Sequence, residues 1–165
     1  MYTFSLDGIR APQNAKPLFY PYEVTQWQIQ YKPFPFMKMK TENKYLITNL
    51  TRKETNFFEG NVNKFVPFQE KEDALILPTN YLQEERVNVS DKFLENYYIH
   101  KRKVWSYPKI SLLNTYALFV PYFIYKKRIK NVEKDFLLEP SSGSEDLLDK
   151  YKEIQKYVQE QGVIT

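Results

Sequence analysis

The stretch SYPKISLLNTYALFVPYFIYKKR, Ser106–Arg128, decides how the rest of the chain is read. Between Ile110 and Tyr125 it carries no charge, and no glycine divides it. As an α-helix the uncharged run is about 24 Å long at ~1.5 Å per residue, against a hydrocarbon core of about 30 Å. The flanks extend it. Trp105, Tyr107, Tyr122 and Tyr125 stand at or near the two ends, where an aromatic belt lies at a membrane interface. Lys109 on one side and Lys126, Lys127 and Arg128 on the other can snorkel outward to headgroups.

Residues 105–128 are therefore expected to form one transmembrane helix. Its anchor is Trp105, Tyr107, Leu112, Leu113, Leu118, Phe119, Val120, Phe123, Ile124 and Tyr125. Asn114 and Thr115 are polar, and Pro121 interrupts the helix. Lipid tolerates such residues where neighbouring helices satisfy the freed groups, so the span is expected to pack on other helices. Basic residues on both sides leave its orientation open, and they are expected either to meet anionic headgroups such as cardiolipin or to serve as ordinary snorkelling flanks. The alternative is a soluble α+β domain with a small antiparallel sheet. There the same run supplies buried strands, LNTYALFV and PYFIY, whose residue types suit a sheet. That strand is far longer than the usual five or six residues, and Pro121 is admitted only at an edge or bulge.

Working outward, the N-terminal part is extended. Pro12, Pro17, Pro21, Pro33 and Pro35 exclude a long helix before residue 40. Residues 1–89 read as an aromatic, proline-rich arm or a small sheet. In EVTQWQIQY, residues 23–31, Thr25, Trp27, Ile29 and Tyr31 alternate with a glutamine-rich face, which predicts a strand. FPFMKMK follows as an edge or arm, and KYLITNL, residues 44–50, is strand-like. Residues 90–104 predict a helix, with Ser90 as N-cap, Asp91 in the first turn and Pro108 beyond its end.

After the apolar run, IKNVEKDFLLEP, residues 129–140, reads as a charged helix. SSGS, residues 141–144, reads as a short linker or turn, with Ser142 and Glu145 spaced as a capping box. In the segment that follows, Leu147, Tyr151, Ile154 and Val158 recur at helical spacing. They form the narrow stripe of an amphipathic C-terminal helix that docks on a partner or packs on its own domain. The main expectation is thus a mainly α chain with extended arms.

Composition removes whole classes of chemistry. The 165 residues contain no cysteine and a single histidine, His100, so thiolate sites and multi-histidine metal sites are excluded. Mean hydropathy is −0.60, which excludes several spans but not one. There is no Gly-rich phosphate loop, nucleophile elbow or H-E-x-x-H motif. The adjacent carboxylates Glu84–Glu85 and Glu145–Asp146 do not face each other on a helix. No enzyme activity and no cofactor are expected. A net charge of +4 is too small to make nucleic acid the expected partner. The N-terminus has no uninterrupted apolar core for a secretory signal. With Arg10, Lys16 and Asp7 it also makes a poor transit peptide.

Tyr107-Pro108-Lys109-Ile110-Ser111-Leu112, then Pro121-Tyr122-Phe123-Ile124-Tyr125, then a Lys-rich segment through Glu133-Lys134, resembles one small single-pass accessory subunit of mitochondrial respiratory complex I. The resemblance covers about residues 104–138. It implies a non-catalytic structural subunit of an inner-membrane respiratory complex, contributing assembly and stability. Its partners would be the other subunits and membrane lipid. The α+β alternative implies instead a cytoplasmic protein-interaction module.

Overall fold

Residues 109–129 form a strand, not a helix. In the computed structural model, β7 runs Lys109–Ile129. Residues 1–5, 10–70, 74–140 and 142–164 are described. Asp7 and Ser141, weighed above, lie outside them. The described residues are 46% strand and 22% helical, and among them are nine strands in a mixed hydrogen-bonded sheet and two α-helices. No helix among the described residues is long and apolar enough to cross a membrane. The mainly α fold and its transmembrane helix are therefore overturned, and the α+β alternative fits. The reason lies in residue type. Val, Ile, Phe, Tyr and Thr crowd the run, and they pack better on a pleated surface than around a helix. Pro121 lies where the in-out alternation slips, since Val120 and Pro121 are buried in succession.

The chain divides into two compact units. Unit 1 comprises Met1–Pro21, Val62–Pro78 and Phe119–Thr165, and unit 2 comprises Tyr22–Asn61 and Thr79–Leu118. The bounds cut two long strands, β2 (Lys16–Tyr31) and β7.

In unit 1, β1 (Tyr2–Phe4) pairs antiparallel with β5 (Phe65–Pro67), while β6 (Leu75–Ile76) runs parallel to β2 at Leu18 and Phe19. The expected charged helix at 129–140 is instead β8 (Val132–Glu139), folded back on β7 with Ile129 opposite Val132. Lys130 and Asn131 make the two-residue turn with φ of 48° and 63°. Both central residues of a type I′ turn need positive φ, and Asn-Gly is its usual signature. Lys130→Asn with Asn131→Gly is expected to raise stability by about 1 kcal/mol, read as a higher melting temperature. An unchanged or lowered midpoint would count against this assignment of the turn.

The expected capping box is also corrected. Ser142 Oγ donates to the Glu139 carboxylate at 2.8 Å, and Glu145 lies in β9 (Ser144–Leu147), which pairs with β8. Gly143, at φ 69°, makes the turn between them. The terminal helix α2 starts later, at Lys152, and ends at Glu160. Its Ile154 and Val158 are buried, and Tyr20 on β2 donates to Glu153 at 3.2 Å.

In unit 2 the order is β4 (Glu54–Phe57), β3 (Lys40–Asn49), β2, β7. The period-two pattern of EVTQWQIQY is realised, with Thr25, Trp27, Ile29 and Tyr31 all buried. Helix α1 spans Gln83–Asn96. It begins a full two turns before Ser90, so the expected N-cap is a buried mid-helix residue. A small Ser there lets α1 approach its neighbours, while Leu94 and Tyr98 fill the core with Trp27, Ile29, Tyr31 and Leu46. Arg86 clamps α1 to β2, its Nε and Nη2 donating to the Glu23 carboxylate at 3.2 and 2.9 Å. After Asn96 the helix widens into a π-turn, Tyr97–Lys101, which ends with the Arg102 N–H donating to the Tyr97 carbonyl at 2.9 Å.

Candidate functional site

The most unusual surface belongs to unit 2, at the end of the β2–β3 hairpin. Tyr31 pairs with Lys40, so residues 32–39 form the connection. Pro33 and Pro35 stiffen it, and the Met37 N–H donates to the Phe34 carbonyl at 3.1 Å to close a turn. A water-exposed loop usually carries polar residues, but this one carries Phe34, Phe36, Met37 and Met39, all exposed. Phe36 is 90% exposed.

A second segment is tied to the first. The N–H groups of Trp105 and Ser106 donate to the Lys32 carbonyl at 3.0 and 3.3 Å. The Lys32 N–H donates to Ser106 Oγ at 2.7 Å. These bonds bring Trp105, 59% exposed, and Tyr107, 71% exposed, to the base of the hairpin connection.

A polar network fixes this base. The Glu42 carboxylate on β3 accepts from Tyr31 Oη at 2.5 Å and from Tyr98 Oη at 2.6 Å. It also accepts from Arg102 Nη1, 2.8 and 2.6 Å from its two oxygens. The Arg102 guanidinium lies 5.2 Å from the Tyr31 ring centre and 5.3 Å from that of Tyr98. Burial alone would raise the Glu42 carboxyl, but the hydrogen bonds from Arg102, Tyr31 and Tyr98 outweigh it and bring it down to about 2. Burial, then the bond to Glu42, pushes the Tyr98 hydroxyl well above its ordinary range. Glu42 is therefore ionised and both tyrosines keep their protons, so the network ties elements together rather than passing protons.

The charge is one-sided. Residues 32–41 contain Lys32, Lys38 and Lys40 and no acid, and residues 100–109 contain Lys101, Arg102, Lys103 and Lys109 and no acid. The two acids bordering these segments are engaged. Glu42 is held as above, and Glu95 accepts from the neutral Tyr107 Oη, a hydroxyl that Asp91 also faces electrostatically.

The residues expected to form an anchor divide between the two units and between exposed and buried positions. Trp105, Tyr107 and Lys109 belong to the basic aromatic end of unit 2. Leu112 and Leu113 are exposed on β7, while Leu118, Val120, Ile124 and Tyr125 are buried and Phe119 and Phe123 are half-buried. Lys126, Lys127 and Arg128 lie in unit 1 on the β7–β8 hairpin, opposite Asp135, Lys134 and Glu133, and Lys127 Nζ is 2.9 Å from Glu145. Of the expected docking stripe, Leu147 sits in β9, Tyr151 precedes α2, and Ile154 and Val158 point into their own unit. The hairpin connection 32–39 was read only as an edge or arm. Its signal was a run of apolar and basic residues without one acid.

Two other concavities among the described residues bring no comparable set of side chains together. In unit 1 a cleft of about 300 Å³ lies beside Asn14, Lys16, Lys126, Glu133 and Asp135, with mixed charge. In unit 2 an open groove is lined by Trp27, Val87, Ile110 and Leu112. Among the described residues no group of three or more His, Cys, Asp or Glu could hold a metal ion. Compared with known protein families, curated proteins and solved structures, the chain matches none.

Proposed function

We propose that the chain is a non-catalytic α+β interaction module that docks through the hairpin connection of unit 2. One observation carries this: Phe34, Phe36, Trp105 and Tyr107 stand exposed on a braced framework. Burying an exposed Phe gains about 1.5–3 kcal/mol, so several such side chains together favour a covering partner. The Glu42 network supports the same function, because a surface held rigid before contact loses less entropy on binding. Trp, Tyr, Phe and Met are also the residues enriched at contact surfaces.

The test is a double variant, Phe36→Ser with Trp105→Ser, followed by native sizing of the tagged chain from its own cells. Both side chains are exposed, so stability should stay within about 0.5 kcal/mol of the parent. The parent is expected in a large assembly or with the particulate fraction, and the variant as a free species near 19.9 kDa. A variant distributed like the parent would sink the proposal, as would a parent that is itself free.

A further inference from the structure

We propose that the surface covered by this hairpin is an anionic lipid bilayer, with Phe34, Phe36, Met37 and Met39 entering the acyl boundary and the surrounding lysines meeting the headgroups. The inference rests on the docking function above and names its partner.

Charge complementarity carries it first. Lys32, Lys38, Lys40, Lys101, Lys103 and Lys109 lie in or next to the two segments that carry the exposed apolar side chains, six cations against the acids Asp91 and Glu95 beside Tyr107, while Glu42 is paired with Arg102. Arg102 is paired with Glu42, so the lysines supply the unpaired charge. A negative leaflet attracts such a cluster, and lysine stems can lie along apolar surface while the ammonium stays at headgroup level.

The kind of apolar residue carries it further. Phe34 and Phe36 are separated by Pro35 and followed by the alternation Met37-Lys38-Met39-Lys40. This places apolar and cationic groups side by side at the end of a hairpin. Trp105 and Tyr107 stand at its base, and these residue types favour the bilayer interface. A single-stranded nucleic acid would want successive flat rings as stacking platforms. Methionine has no ring to stack, and Met37 and Met39 are half of the four exposed apolar side chains on the hairpin connection.

The experiment is flotation of the full chain with phosphatidylcholine vesicles, with and without about 25 mol% phosphatidylserine to set the surface potential. The chain is expected to float with the anionic vesicles only, and to be released by salt. Phe34→Ser with Phe36→Ser should weaken binding at least about thirtyfold. Lys38→Glu with Lys40→Glu should weaken it at least about tenfold. Trp105 fluorescence should shift to the blue on binding and be quenched by brominated lipid, whereas the buried Trp27 stays silent.

Three results would overturn the inference. One is no vesicle binding while a single-stranded oligouridine binds. Another is equal binding to neutral and anionic vesicles. The third is binding that survives Phe34→Ser with Phe36→Ser but is lost with Ile129→Ser and Val132→Ser, the exposed pair on the other hairpin. If vesicles do not bind but Phe36→Ser with Trp105→Ser still leaves its native assembly, the lipid inference alone fails. If that variant stays in the assembly as well, the docking function fails with it.

Discussion

Leu118→Arg is expected to abolish the cooperative thermal transition, whereas Leu113→Arg on the same strand should melt nearly as the parent does. Leu118 is 0% exposed and Leu113 is 43% exposed. A guanidinium at 118 would enter a packed interior without an evident partner. The effective penalty for burying an unpaired ion is several kcal/mol, and the lost Leu packing adds about 2–5. Total stabilities of ordinary domains are only about 5–15 kcal/mol. At 113 the long side chain can reach water, so the change should stay near 1 kcal/mol. The pair also separates the two accounts of residues 105–128. In a transmembrane helix both positions lie within the apolar run, and both substitutions would act on insertion. Circular dichroism melts decide it, and a folded Leu118→Arg protein with the parental midpoint would refute the strand assignment.

The second large effect is at Tyr98, which is fully buried and donates to Glu42. Tyr98→Ala should cost about 5 kcal/mol. The ring's removal accounts for about 3–5, and the lost bond to a carboxylate overlaps with it at about 1.5–3. Tyr98→Phe keeps the ring beside Tyr31 and should cost about 2 kcal/mol.

The pH dependence has a definite sign. The Glu42 carboxyl lies near 2 in the folded chain against an ordinary 4.5. Its contribution is fully present above about pH 5 and is lost as pH falls through the folded value. Glu42 is 29% exposed, so screening trims that contribution to about 2 kcal/mol. Glu42→Gln should therefore sit about 2 kcal/mol below the parent at neutral pH, with the gap narrowing below pH 5. Tyr98 acts in the opposite sense. Its raised hydroxyl pKa contributes stability below its ordinary value of 10.0 that is lost at more alkaline pH. Urea titrations across pH measure both limbs. A parent-to-variant gap that is constant from neutral to acid pH would show that Glu42 is not held ionised by its donors.

The strand at 23–31 was legible because one face is glutamine and the other is Thr, Trp, Ile and Tyr, a pattern no helix produces. The strand at 109–129 was not. An uncharged run without glycine satisfies a helix and a strand equally, and its length argued against the strand. The strand at 132–139 was obscured because its acids and bases also recur at helical spacing, and because Lys130-Asn131 is a weak version of the usual turn signal. Helix α1 was read short because its first turns, QEER, show little apolar periodicity. For the candidate site, the aromatic and basic character of Trp105, Tyr107 and Lys109 was visible in sequence. Their placement beside the hairpin was not. It depends on bonds between Lys32 and Ser106, 74 positions apart, which no local pattern encodes.

The widened turn at Tyr97–Lys101 makes this region sensitive to counting rather than to identity. A π-turn holds one residue more than an α-turn, so it acts as a built-in frame offset between Leu94 and everything after it. Deleting one residue there would restore the ordinary helical phase and rotate the following chain by about 100°. Arg102 would swing off Glu42, and Trp105 would lose its place against Lys32. An exposed member of the turn such as His100 can thus change type without disturbing the fold, while the number of residues between Leu94 and Arg102 is fixed by the structure on either side.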